Sequence, residues 1–317
     1  MSRAPGLLHY GVLVILGASW GFSTPLSKIA VSSGHGQFGL VFWQLIIGVL
    51  MMGGLSLARG TGLPLNRRTI WVFVVVALTG TVIPDAAFYS AIRHLPAGVM
   101  AILLSLIPML ALPMALALGL ERFSARRFGG IAVGMTGVLI LVLPEASLPD
   151  VAMLAWIPLA LIAPLCYAFE SNFVARWGVA GMDPVQVIFG MSLVGALITL
   201  PLAITSGQFI NPVRVWRAPE WALVASSAIH VVVYAGYVWL VGRAGAVFAV
   251  QVSYFVTGFG VFWAMALLGE SYSPFIWVAL VLVLLGVFLV QPAAGSTLES
   301  NGVGDQDDAA DPTQAKR

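Results

Sequence analysis

The chain has 317 residues, 60% of them hydrophobic and 9% charged, with a net charge of +2. Soluble domains carry about 25% charged residues, so a water-soluble fold is excluded and the chain reads as an integral, all-α membrane protein. There is no basic patch for nucleic acid, and the single cysteine, Cys166, excludes an internal disulfide.

A spanning helix needs about 20 largely apolar residues. In chain order the predicted spans are Leu7–Val31, Gly39–Ala58, Ile70–Ala91, Ala97–Leu120, Phe128–Leu143, Val151–Ala175, Pro184–Thr205, Trp221–Val241, Ala244–Leu268 and Pro274–Val290, of which the fifth and tenth are short. The first is longer than a signal-peptide core and lacks a cleavage site, so it is expected to remain. The breaks carry Gly, Pro and charge, as turns do. Residues 292–317, with Asp305, Asp307, Asp308 and Asp311, cannot bury a core and are expected to form a disordered cytoplasmic tail.

Arginine placement predicts orientation. With a cytoplasmic N-terminus, the inside set is Arg3, Arg59, Arg67, Arg68, Arg122, Arg126, Arg127, Arg176 and Arg243. The outside set is Arg93, Arg214 and Arg217, so nine oppose three. Ten spans return the C-terminus to the cytoplasm.

The chain also repeats itself. ALALGLERFS aligns with AMALLGESYS, pairing Glu121 with Glu270 and Ser124 with Ser273 at an offset of 270 − 121 = 149 residues. Gly137 and Val138 match Gly286 and Val287 at the same offset. Five predicted spans separate the two glutamates, an odd number, so the copies must insert with opposite orientation. The predicted units are residues 1–147 and 148–291. Inverted repeats are the usual architecture of alternating-access carriers.

SWGFSTPLSKIA, the stretch LPAGVMAILLSLIPMLALPMALALGLERFS with its following GGIAVGMTGVLIL, and the later GESYS and LLGVFLV resemble the EamA-type family of the drug/metabolite transporter superfamily. The resemblance runs from about Leu7 to Val290. The second copy departs more, with Thr257 in place of Pro108 and Arg243-Ala-Gly-Ala in place of His94-Leu-Pro-Ala-Gly. The family handles amino acids, other metabolites and drugs. The resemblance implies ten transmembrane helices as two inverted five-helix repeats. Helices one to four and six to nine would surround a central cavity, with five and ten bracing the outside.

A charge at bilayer depth costs about 2.5–3.5 kcal/mol on insertion scales and usually faces a cavity or a partner. Lys28, Asp85 and Glu170 stand out. Glu170 precedes Arg176 by about six residues, roughly 9 Å from the helix end, and shares its face with Tyr167, Cys166 and Ala163. Two readings stand: a cavity carboxylate that binds a cationic group or a proton, or a side chain that snorkels to an interfacial arginine. Asp85 and Lys28 lie at similar depth towards the outer side, which predicts an ion pair serving as lock or gate; Lys28 can also snorkel.

His230, Tyr234 and Tyr237 share a face of the eighth span, Gln251 and Tyr254 one of the ninth, and Trp43 and Gln44 sit in the second. These are candidate cavity lining; interfacial packing is the alternative for the aromatic residues, and a helix–helix hydrogen bond for His230. Glu121 and Glu270, at helix ends, read as caps or anchors. Gly17, Gly21, Gly48, Gly53, Gly134, Gly137, Gly258 and Gly260 read as small packing surfaces.

No phosphate-binding loop, HExxH, paired cysteines or GxSxG motif is written here, so no enzyme activity, cofactor or metal is expected. The expected function is secondary transport of a small polar metabolite, an amino acid or related compound, across the cytoplasmic (inner) membrane. Export and proton coupling through Glu170 are the favoured forms. A passive uniporter is the alternative, and an intramembrane enzyme using His230 and Glu170 a more distant one. The partners are the substrate and the lipid bilayer.

Overall fold

The computed structural model describes residues 6–142, 150–213 and 215–291. Arg3, Arg214 and the predicted tail lie outside them. All regular structure among the described residues is helical. Eight helices are long and apolar enough to cross a membrane: α1 (Leu7–Val31), α2 (Gln37–Ala58), α3 (Arg67–Ile92), α4 (Ala97–Ala117), α5 (Ala125–Val142), α6 (Ala152–Trp177), α7 (Pro184–Thr205) and α8 (Ala218–Ala244). Two further apolar helices, α9 (Val252–Leu268) and α10 (Pro274–Val290), have 17 residues each. Large apolar side chains such as Leu139, Leu197, Val281 and Phe288 are more than half exposed on the outside. Such a belt suits lipid, not water.

Local chemistry explains the irregularities. Pro84 lacks an N–H for the carbonyl four residues back and its ring crowds it. That carbonyl belongs to Gly80, and α3 widens there into a π-turn over Leu78–Val82. In α4 the chain breaks at Ser105 and Leu106, just before Pro108. Ser105 and Leu106 donate instead to the carbonyls of Ile102 and Leu103, three residues back. The predicted ninth helix is not continuous. Gly245, with φ +86°, ends α8 in a conformation open to glycine. A short turn, Ala246–Ala249, then precedes α9.

Helix pairing follows the repeat. The 149-residue offset maps α1–α5 onto α6–α10. Contacts between α1 and α8 have their mate in α6 with α3, and those between α1 and α9 in α6 with α4. The pairs α2–α7 and α5–α10 map onto themselves. Close approach depends on glycine: a Cβ on Gly21 of α1 would lie 2.8 Å from the backbone nitrogen of Gly260 in α9. Gly258, by contrast, has open space around it, so the packing role predicted for it is not found.

The two glutamates of the repeat lie at opposite ends of α4. Glu270 sits against the N-terminus of α4, while Glu121 follows its C-terminus. The 21 residues between Ala97 and Ala117 separate them by about 30 Å at 1.5 Å per residue. One end of the bundle carries Arg59, Arg67, Arg68, Arg122, Arg126, Arg127, Arg176 and Arg243, and is here called the arginine-rich end. The other end carries the α3–α4 and α9–α10 turns.

The symmetry is broken in one respect. At the end opposite the arginines, the first half of α4 (Ala97–Leu104) packs against α9. No packing of similar extent joins the mate of this pair, residues 246–253 with the second half of α4 (Ile107–Ala117), among the described residues. The packing of α4 on α9 is therefore concentrated at the end opposite the arginines.

Candidate functional site

Glu170 is the centre of the site. A Cα–Cβ bond tilts towards the N-terminus of its helix, so the side chain climbs from its position in α6 towards the middle of the bundle. Its carboxylate meets Gly80, the midpoint of α3. A Cβ there would lie 2.7 Å from Oε1 and 2.8 Å from Oε2. The π-turn forced by Pro84 and the missing side chain at Gly80 together make room for this group. No hydrogen bond or ion pair reaches the Glu170 oxygens among the described residues, and they remain accessible although the residue is deep in the protein. The snorkelling reading does not describe this geometry, because the carboxylate points away from Arg176.

One turn earlier on α6, Tyr167 donates to Asp85 Oδ1 at 2.6 Å. Gln44 of α2 donates through Nε2 to Asp85 Oδ2 at 2.6 Å. Its Oε1 accepts from the Tyr89 hydroxyl at 2.7 Å. Ser27 of α1 and Ser226 of α8 lie beside Tyr89. This chain of bonds crosses the bundle between Glu170 and the end opposite the arginines. Asp85 is buried, with 9% of its surface exposed, and satisfied by neutral donors.

The predicted Lys28–Asp85 ion pair is not formed. Lys28 Nζ donates to the carbonyls of Ile92, Arg93 and Leu95 at 2.5, 3.2 and 2.9 Å. It caps the C-terminus of α3, where a cation complements the helix dipole. Glu270 does the converse beside it. Its Oε1 accepts from the amide of Ala97 at 2.8 Å and its Oε2 from that of Gly98 at 3.2 Å. The Tyr272 hydroxyl donates to Glu270 and accepts from the Gly98 amide at 3.1 Å. Burial, with the adjoining carboxylate, holds the Tyr272 phenol well above its ordinary range, so it stays a donor. These fastenings surround a cavity of about 340 Å³ lined in part by Arg93, His94 and Met153. A further pair, His35 with Glu220 at 2.8 Å, joins the α1–α2 turn to the start of α8, and Arg93 donates to the His35 carbonyl.

On α8, His230 is exposed. The Trp20 indole of α1 donates to its Nδ1 at 3.2 Å. An indole only donates, so the imidazole carries its proton on Nε2. Tyr237 approaches Trp20 with ring centres 6.2 Å apart, and Tyr234 lies within electrostatic range of Glu170. The Tyr254 hydroxyl is buried without a hydrogen-bond partner among the described residues. Gln251 is half-buried at the start of α9, towards the arginine-rich end.

Trp43 departs from the predicted lining. Its indole donates to the Ile210 carbonyl at 2.9 Å, and its ring packs with Phe42 and Phe209. It fastens the α7–α8 connection. Glu121 pairs with Arg127 at 2.8 Å, and Arg127 Nε donates to the Val290 carbonyl at 2.7 Å. Sequence reasoning passed over Tyr89, Trp20, Gly80, His35 and Glu220. Tyr89 was reachable, being one turn from Asp85; nothing in the local sequence marks Gly80 or Trp20. No group of three or more His, Cys, Asp or Glu suited to a metal is present among the described residues.

No curated protein matches the chain. A solved crystal structure of a protein is similar over 92% of this chain and 98% of its own, at 19% identity and a TM-score of 0.58. At that identity it supports the fold alone. The model of the EamA-like transporter family matches twice, over residues 8–143 and 154–291, the two copies found by the offset. The chain belongs to the EamA-like transporter family.

Proposed function

We propose that this protein is a secondary transporter of a small polar metabolite, an amino acid or related compound, working by alternating access in the inner membrane. The observation that carries the reading is the one-sided closure of an inverted pair of repeats. Two copies related by inversion have two equivalent arrangements, each open to one side. Here the α4–α9 contact is made at one end and its mate is not. Glu170, His230 and Tyr234 are assigned to the substrate site, by analogy with carriers of this kind, which bind near the midplane.

All ten helices are taken as spans. With the turn at Ala246–Ala249, the ninth segment runs from residue 246 to 268, and α10 reaches about 26 Å at 1.5 Å per residue. The arginine distribution supports a cytoplasmic position for both termini, and export is the direction that the family resemblance favours. Proton coupling is assigned to Glu170, whose carboxylate has no partner among the described residues.

Counterflow in proteoliposomes against a panel of amino acids, amines and nucleobases tests the reading. The expected result is saturable accumulation of one class that collapses in Glu170→Gln. Product formation in detergent without a sealed compartment would overturn it. Uptake indifferent to a pH gradient would establish the passive uniporter in place of coupled transport.

A further inference from the structure

Resting on the transport reading, we infer that the position beside the Glu170 carboxylate takes a protonated amine bearing no free carboxylate: an amine, an amino-acid amide or a similar net cation. The observation is an imbalance of charge. Inside the bundle the described residues contribute Lys28, Asp85 and Glu170. The ammonium of Lys28 is committed to three backbone carbonyls at the closed end. Both oxygens of Asp85 are occupied by Gln44 and Tyr167. Glu170 alone of the three keeps accessible oxygens with no partner. The charge left for a ligand is therefore negative.

The neutral groups suit an amide and an aromatic-faced amine. His230, bound through Nδ1 by Trp20, offers an uncharged N–H that fits the carbonyl of an amide and gives an ammonium nothing to donate to. Tyr167 and Tyr234 stand near Glu170, and Trp20 lies against both His230 and Tyr237. Aromatic faces attract cations. An ammonium beside Glu170 would gain a charge-assisted hydrogen bond. A free carboxylate on the same ligand would find no uncommitted arginine or lysine among the described residues of the bundle interior. It would also stand close to Glu170, and like charges brought together in a dry site are strongly disfavoured. The inference thus narrows the substrate class of the transport reading to its amine and amide members and removes the zwitterionic amino acids from it.

The test is binding, measured by isothermal titration calorimetry on the whole protein in nanodiscs. Three ligands share one side chain: phenethylamine, phenylalaninamide and phenylalanine, with phenylpropionate as the anion. The amine and amide are expected to bind at least about tenfold more tightly than the free amino acid, and the anion not at all. Glu170→Gln should erase the difference while leaving the melting temperature near that of the parent. Equal binding of amine and amino acid, tighter binding of the amino acid, or no binding of any amine overturns the inference. So does a preference that survives in Glu170→Gln. An amine that binds but is not carried in counterflow leaves this inference standing and removes the transport reading. Counterflow of a zwitterion with no amine binding does the reverse.

Discussion

The carboxylate of Glu270, at the end of α9, closes on the amides of Ala97 and Gly98 at the start of α4, with oxygen–nitrogen distances of 2.8 and 3.2 Å. The first amides of a helix have no partners of their own. One side chain of the second repeat thus completes the first turn of a helix in the first, at the end where the bundle is shut.

Glu270→Ala removes that cap, and caps of this kind are worth roughly 0.5–2 kcal/mol. In a two-state carrier that favours opening at the end opposite the arginines, by about tenfold for 1.4 kcal/mol. The measurement is thiol labelling of Ser226→Cys in a Cys166→Ser background, with the reagent applied to that side. Labelling should rise severalfold when Glu270→Ala is added. Unchanged labelling would show that the contact does not hold this end shut.

Gly80→Ala places a methyl group 2.7 Å from Glu170 Oε1. The carboxylate must shift or the π-turn must reorganise, so counterflow activity should fall at least about tenfold, since displacements of about 1 Å can cost a hundredfold in positioned chemistry. Gly54→Ala, in α2 with nothing within 4 Å of its added Cβ, is the control. It should leave activity intact and raise stability by roughly 0.5–1 kcal/mol through helix propensity.

Lys28 and Asp85 have no partner in common among the described hydrogen bonds, so their effects should add. In a double-mutant cycle with Lys28→Met and Asp85→Asn, read by thermal unfolding, the coupling should stay within about 0.5 kcal/mol. Tyr167→Phe with Asp85→Asn removes two ends of one 2.6 Å bond and should couple by roughly 0.5–3 kcal/mol. Strong coupling in the first cycle would restore the ion pair that the side-chain positions deny.

Arg127 does more than its partner. Glu121 is one-third exposed, and an ion pair at such a site contributes about 0–1 kcal/mol. Arg127 also holds the last carbonyl of α10. Arg127→Ala should therefore lower the melting temperature more than Glu121→Gln. Equal shifts would reduce Arg127 to a surface charge.

The sequence by itself determined the environment, the helical class, the inverted repeat and the handful of costly side chains. Hydropathy is a local and additive property, so Leu7–Val31 could be read as a span without knowing its neighbours. The inversion needed only counting between Glu121 and Glu270. What tertiary structure decided is which of those side chains meet. Two residues at one depth, such as Lys28 and Asp85, pair only if both helices are turned towards each other. That rotation is set by packing elsewhere, as where Gly21 lies against Gly260. Lys28 was turned to the end of α3, while Asp85 was left to Gln44 and Tyr167. Glu170 stayed unpaired because Gly80, a residue without a side chain and hence without a signal, gave its carboxylate a place to stand.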